Sequence, residues 1–158
     1  MSVDLAPKIQ LGLEEFGIVR QQMAPLIVKP PDSKAGDMET AAACAMLHSF
    51  YTEIEKILKL IARDWDGQLP SSDAWHKELL NQMVVPTNTR PAVISSGLAE
   101  VLSEFLAFRH LFRGASIALM RWEKIQPLIA KVDWTFVQTT QEIEGFQSFL
   151  RSRRETSP

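Results

Sequence analysis

Apolar side chains return with a helical period over most of this chain, and the clearest run lies between Asp37 and Trp65. There Cys44, Leu47, Tyr51, Ile54, Leu58, Ile61 and Trp65 recur at i, i+3, i+4 and i+7, the spacing of one buried helix face. Asp66-Gly67 and then Pro70 mark where that helix stops. An earlier helix is predicted from a cap at Asp4 to about Met23, with Pro7 tolerable in its first turn and Ile9, Leu13, Phe16 and Arg20 in register. Gly12 and Gly17 weaken that helix. Pro25, Pro30 and Pro31 with Asp32 to Gly36 form the connection.

After Pro70, Ser71-Ser72-Asp73 can cap a short helix from Ala74 to about Met83, although Glu78 stands too far from Ser72 for a strict capping box. Pro86, Thr87-Asn88-Thr89 and Pro91 make Val84 to Pro91 a loop. Ser95 or Ser96 caps the next helix, which ends near Gly114, and Ala115 to Leu119 reads as either a frayed end or a turn. Trp122 to about Ala130 makes a short helix despite Pro127. Asp133 is expected to cap the last helix, with Ile143, Phe146, Phe149 and Leu150 turned inward. Nothing alternates with period two over a convincing length. The pattern predicts an all-α bundle of about four long helices with short additional ones.

One segment breaks the pattern of polar outside and apolar inside. At ~100° per residue, Leu98, Leu102, Phe105 and Phe112 share one stripe, and Arg109 falls near its middle. Arg113 follows one turn later, and His110 sits at the stripe's edge. A guanidinium on a buried face is costly unless it is paired or borders a cleft. Glu55, one turn from Tyr51 on the edge of the second helix's stripe beside His48, is the natural partner for Arg109 or Arg113.

Composition narrows the options without selecting one. The 158 residues suffice for a single domain over 1–158, and 46% hydrophobic with 23% charged residues is ordinary for a globular protein. A formal net charge of -2 argues against a general electrostatic nucleic-acid binder, so any RNA contact has to be local. Cys44 is the lone cysteine, which excludes an internal disulfide framework. The start Met1-Ser2-Val3-Asp4 shows no signal-peptide pattern and no apolar run approaches membrane-spanning length, so a cytoplasmic location is expected.

Phosphate loops and nucleophile elbows are absent, and His48, His76 and His110 lie on three different predicted helices, without the spacing of metal ligands on one helix. Trp75 and His76 read as packing, as do Trp65, Trp122 and Trp134 near helix ends. The remaining chemistry is that of Arg109, His110 and Arg113. Arginines bind phosphate bidentately and stabilise a charged phosphorane-like transition state. A histidine with a pKa of about 6.5 moves protons at neutral pH. Metal-free RNA cleavage needs both, and structural ion pairs are the competing account of the same residues.

Four segments carry a resemblance. Leu47-His48-Ser49-Phe50-Tyr51-Thr52-Glu53-Ile54-Glu55, Trp75-His76-Lys77-Glu78-Leu79-Leu80, Arg90-Pro91-Ala92-Val93-Ile94-Ser95 and Phe108-Arg109-His110-Leu111-Phe112-Arg113 resemble the HepT-like branch of the HEPN proteins, in one order over roughly 40–150. The resemblance implies an up-and-down four-helix, HEPN-like bundle that forms a homodimer. It also implies a cofactor-free, metal-independent RNA endonuclease acting as the toxin of a toxin–antitoxin pair. The implied partners are an RNA substrate and a minimal nucleotidyltransferase antitoxin, with neither DNA nor membrane. In such proteins an arginine precedes the active histidine by four to six residues, and a tyrosine that some antitoxins adenylylate lies two beyond it. HepT-like sequences tend toward Arg-His, two residues, Arg, two residues, Tyr. Here Arg109 and His110 are adjacent, Arg113 is in place, and Ser116 stands at the tyrosine position. The expected roles are Arg109 and Arg113 on the scissile phosphate, His110 as general acid or base, and Glu55, Tyr51 and His48 in support. The alternative expectation is a HEPN-fold interaction or dimerisation module without turnover.

Overall fold

A computed structural model describes residues 5–30, 32–114 and 116–156, apart from the Ile117 side chain. Its helices are α1 (Leu5–Gln22), α2 (Ala24–Ile27, a single turn), α3 (Asp37–Asp64), α4 (Trp75–Val84), α5 (Ser96–Gly114), α6 (Trp122–Ile129) and α7 (Val132–Glu155). A 3-10 turn, Ile117–Leu119, joins α5 to α6. No strand occurs among the described residues. The protein is all-α, as its periodicity predicts.

The four long helices close a ring: α3 packs on α1 and α5, and α7 packs on both α1 and α5. Side-chain pairs set their directions. Lys8 at the start of α1 reaches Asp64 at the end of α3, while Gln147 late in α7 bonds the Ala6 carbonyl. Glu104 on α5 meets Lys131 just before α7, and Glu142 meets Ser95 just before α5. Neighbours therefore run antiparallel in up-and-down order. α4 leans on α3 and α5, and α6 covers α3. The α3 stripe lies at the centre, with Cys44, Leu47, Tyr51, Ile54, Leu58 and Ile61 all buried.

Several local expectations need correcting. Asp4 lies outside the described residues. Asp133 does not cap α7, because the helix begins one residue earlier with Lys131 at the cap position. Asp133 instead sits in the first turn, where a carboxylate still favours the helix dipole, and binds Arg20 on α1. None of Ser71, Ser72 or Asp73 is the cap of α4. Ala74 takes that position, while Ser72 accepts the Ala74 N–H at 3.1 Å and donates to Glu78 at 2.6 Å. Ser95, rather than Ser96, caps α5, accepting the Leu98 N–H at 3.1 Å. Trp134 is half-exposed rather than packed, and Phe149 is only partly buried.

Gly12 is the glycine with a packing reason. A Cβ there would come within 2.8 Å of Ile57 Cγ1, so α1 approaches α3 closely at that point. Gly17, in the same helix, faces open space. Gly17→Ala gains helix propensity of about 1 kcal/mol with no steric cost, which raises Tm by roughly 2–4 °C in a domain of this size. Gly12→Ala has to push aside a stiff β-branched side chain and is expected to lower Tm. Thermal melts of the two variants check the contrast.

Candidate active site between α3, α4 and α5

Glu55 projects from the inner part of α3 and is only 4% exposed. A buried carboxylate needs donors for both oxygens. Oε1 accepts from an Nη of Arg109 on α5 at 2.9 Å, and Oε2 meets Nδ1 of His76 on α4 at 2.7 Å. Arg109 and His76 are themselves buried. One carboxylate thus joins three helices. The charge in the middle of the α5 stripe is paired with the residue that its position suggests.

The surroundings are aromatic. The Arg109 guanidinium carbon lies 5.7 Å from the Tyr51 ring centroid. His76 stacks on Trp75 at 3.6 Å, and Lys59 places its ammonium 4.9 Å from the Trp75 ring. His110 meets His76 edge-on, with ring centroids 5.7 Å apart at 89°. The adjacency of Arg109 and His110 explains this division. Successive helical residues diverge by about 100°, so Arg109 turns in to Glu55 while His110 turns toward α4. Arg113 and His110 are exposed, and His48 is half-buried against Phe112 at 5.9 Å.

Electrostatics separate the roles. Burial, and then the Arg109 and Arg113 charges, hold the His48 imidazole below its ordinary pKa, with Glu55 partly offsetting them. His48 is therefore a neutral imidazole at pH 7. Burial first and the Glu55 charge second push the Tyr51 phenol upward, against the pull of Arg109, so Tyr51 keeps its proton. Tyr51 here is a packing surface for a guanidinium and no nucleophile. Among the described residues no group of three or more His, Cys, Asp or Glu side chains could hold a metal ion.

The structure thus brings together Glu55, Arg109 and Tyr51, and places His48, His110 and Arg113 at the edge of that cluster. Arg109 is buried and paired with Glu55, whereas His110 and Arg113 are exposed. His76, read as packing from the sequence, is part of the cluster. Arg109 bonds Glu55 through a single nitrogen, and His76 answers the second oxygen. A second cluster was not legible at all. Arg90, with its side chain fully buried, bonds Asp66 through Nε at 2.6 Å and an Nη at 2.8 Å. Its other donors go to the Val85, Pro91 and Gln82 carbonyls at 3.1, 3.1 and 3.2 Å. All its N–H groups are satisfied within the protein, which makes Arg90 a structural residue.

A helical bundle whose buried acid holds an arginine and a histidine beside a second, exposed histidine defines a class of compact all-α protein with a polar centre between three helices. A family model described as HepT-like protein matches residues 42–150, and the chain belongs to that family, within the HEPN superfamily. Neither a curated protein nor a solved structure matches it. No described helix is long and apolar enough to cross a membrane.

Glu55→Ala removes the partner of two buried groups at once. Leaving the buried Arg109 charge uncompensated is expected to cost about 3–5 kcal/mol, measurable as a lower urea midpoint with an unchanged m-value.

Proposed function

We propose that this protein is a metal-independent endoribonuclease toxin of a cytoplasmic toxin–antitoxin pair. The observation that carries the reading is the grouping of Arg109, His110 and Arg113 at the outer end of α5, with Arg109 anchored by Glu55. That anchor engages a single guanidinium nitrogen, and in this reading the remaining donors of the fork take the phosphate. Arg113 supplies the second, exposed cation. His110 transfers a proton as general acid or base, and Glu55, Tyr51 and His48 set the position and charge of the arginines. Membership of the HepT-like family supports a toxin–antitoxin context and RNA binding; in this reading RNA is the substrate and a minimal nucleotidyltransferase the antitoxin. Ser116 in place of the tyrosine means that adenylylation at that position is not part of the proposal.

The second reading, a HEPN-fold interaction module without turnover, is favoured by one observation: the Arg109–Glu55 pair is buried, as a purely structural ion pair would be. Cleavage of RNA in the presence of chelator separates the two. The wild type is expected to cut, and His110→Ala and Arg109→Ala to lose about 100-fold or more in rate. Intact RNA across substrates, or equal cutting by both variants, would remove the catalytic assignment.

The homodimer belongs to the same proposal. Ala107, Leu111 and Gly114 recur at i, i+4 and i+7 and are all exposed, Leu111 at 58%. This small and apolar strip beside the site suits packing against a second copy. Light scattering at micromolar concentration is expected to give twice the chain mass, and Leu111→Arg to give the monomer. A monomeric wild type contradicts the homodimer.

A further inference from the structure

Cleavage of RNA without a metal requires two proton transfers: the 2′-hydroxyl loses a proton as its oxygen attacks, and the 5′-oxygen gains one as it leaves. The function proposed above gives His110 one of these and leaves the other without a residue. The structure offers a candidate on a neighbouring helix. Glu55 Oε2 binds His76 at Nδ1, which fixes the neutral ring as the Nδ1–H tautomer and leaves the lone pair on Nε2. Stacking on Trp75 holds the ring plane. His110 approaches edge-on at 5.7 Å, so the two rings lie close enough for one phosphodiester to reach each within hydrogen-bond distance, ~2.6–3.2 Å.

We propose that His76 is the general base of the reaction and His110 its general acid, an assignment that rests on the endoribonuclease reading. His76 Nε2 takes the 2′-hydroxyl proton, the 2′-oxygen forms a bond to phosphorus, and the bond from phosphorus to the 5′-oxygen breaks. The His110 imidazolium delivers its proton to that oxygen. The products are a 2′,3′-cyclic phosphate and a 5′-hydroxyl, and exchange with water returns the two rings to their starting states. The order of roles follows from the partners. His76 has a buried carboxylate on its far nitrogen, which stabilises the imidazolium that a base becomes, as an acid behind a catalytic histidine does elsewhere. His110 is exposed and exchanges protons with solvent. The charged and titratable groups around the pair are His48, Glu55 and Lys59 on α3 and Arg109 and Arg113 on α5, while Lys77 and Glu78 on α4 itself are exposed.

The test uses the full chain, chelator, and two forms of one short RNA: the natural linkage and one with sulfur at the bridging 5′ position, a leaving group that needs no acid. His76→Asn retains a donor for Glu55 while losing the Nε2 base, so it separates proton transfer from scaffolding; His76→Gln and thermal melts guard against misfolding. On natural RNA, His76→Asn and His110→Ala are each expected to lose about 100-fold in kcat/KM. On the sulfur-bridged RNA, His110→Ala returns to within about tenfold of wild type and His76→Asn does not. The wild-type pH profile is bell-shaped, His76→Asn abolishes its acid limb, and His110→Ala its alkaline limb. If folded His76→Asn cuts natural RNA within about threefold of wild type while His110→Ala is inactive, the base assignment is overturned and the nuclease reading stands. Rescue of His76→Asn by sulfur overturns it in the same way. A wild type that leaves both RNAs whole overturns the nuclease reading, and this one with it.

Discussion

The carboxylate of Glu55 is the interaction on which the centre of this protein depends. It is buried on the innermost helix, and its two oxygens are answered from two different helices, by Arg109 and by His76. Such an arrangement is a poor source of net stability, since desolvating the charges costs several kcal/mol per ion before any attraction is recovered. Its effect is on register. α4 is a short helix that could slide along α3 and α5 on apolar contacts alone, and the bond from His76 admits a single position. The same constraint sets α5, because Arg109 has to arrive at the other oxygen. Polar specificity at the centre and apolar burial around it thus do different work.

The Arg90–Asp66 pair extends this logic to the loops. Asp66 follows α3 and Arg90 follows α4, so their bidentate bond ties the two ends of the α4 excursion together. The carbonyls of Gln82, Val85 and Pro91 also end on Arg90, which stands in for backbone partners that a turn rich in proline cannot supply. Beyond the loop, the Ser95 cap is reinforced from α7 by Glu142, which accepts both its N–H and its hydroxyl. Each connection around α4 is therefore fastened by a polar side chain from a distant part of the chain.

How far this was legible follows from the range of each interaction. The α3 stripe reads directly because helical burial is periodic, and the Arg109 anomaly reads because a charge in that stripe demands a partner. Glu55 as that partner was inferable from its position at the edge of a neighbouring stripe. His76 was not inferable from its own surroundings, since a histidine after a tryptophan on a short amphipathic helix carries no sign of what faces it. Arg90 and Asp66 lie in loops, where no period marks burial. Gly12 looked like a weakness in α1 because propensity is local, while the clearance it gives Ile57 is tertiary. Asp133 misled for a related reason: the cap position, held by Lys131, and the first-turn position that Asp133 takes lie only two residues apart, and Asp133 pairs with Arg20 there.

The departure from the family's usual spacing also has a geometric reading. An arginine four to six residues ahead of a histidine lies a turn or more away along the helix. Adjacent residues differ by about 100° around the axis and only 1.5 Å along it. Arg109 and His110 consequently stand at one level, one turned to α3 and the other to α4, with Arg113 a turn further toward the exposed end. A phosphate bound by the two arginines would then lie alongside His110 rather than beyond it. At that level the residue opposite on α4 is His76, already oriented by Glu55. On the proposed nuclease reading, the adjacency of Arg109 and His110 would place the proton transfers in the space between α5 and α4, with His76 as the residue that completes them.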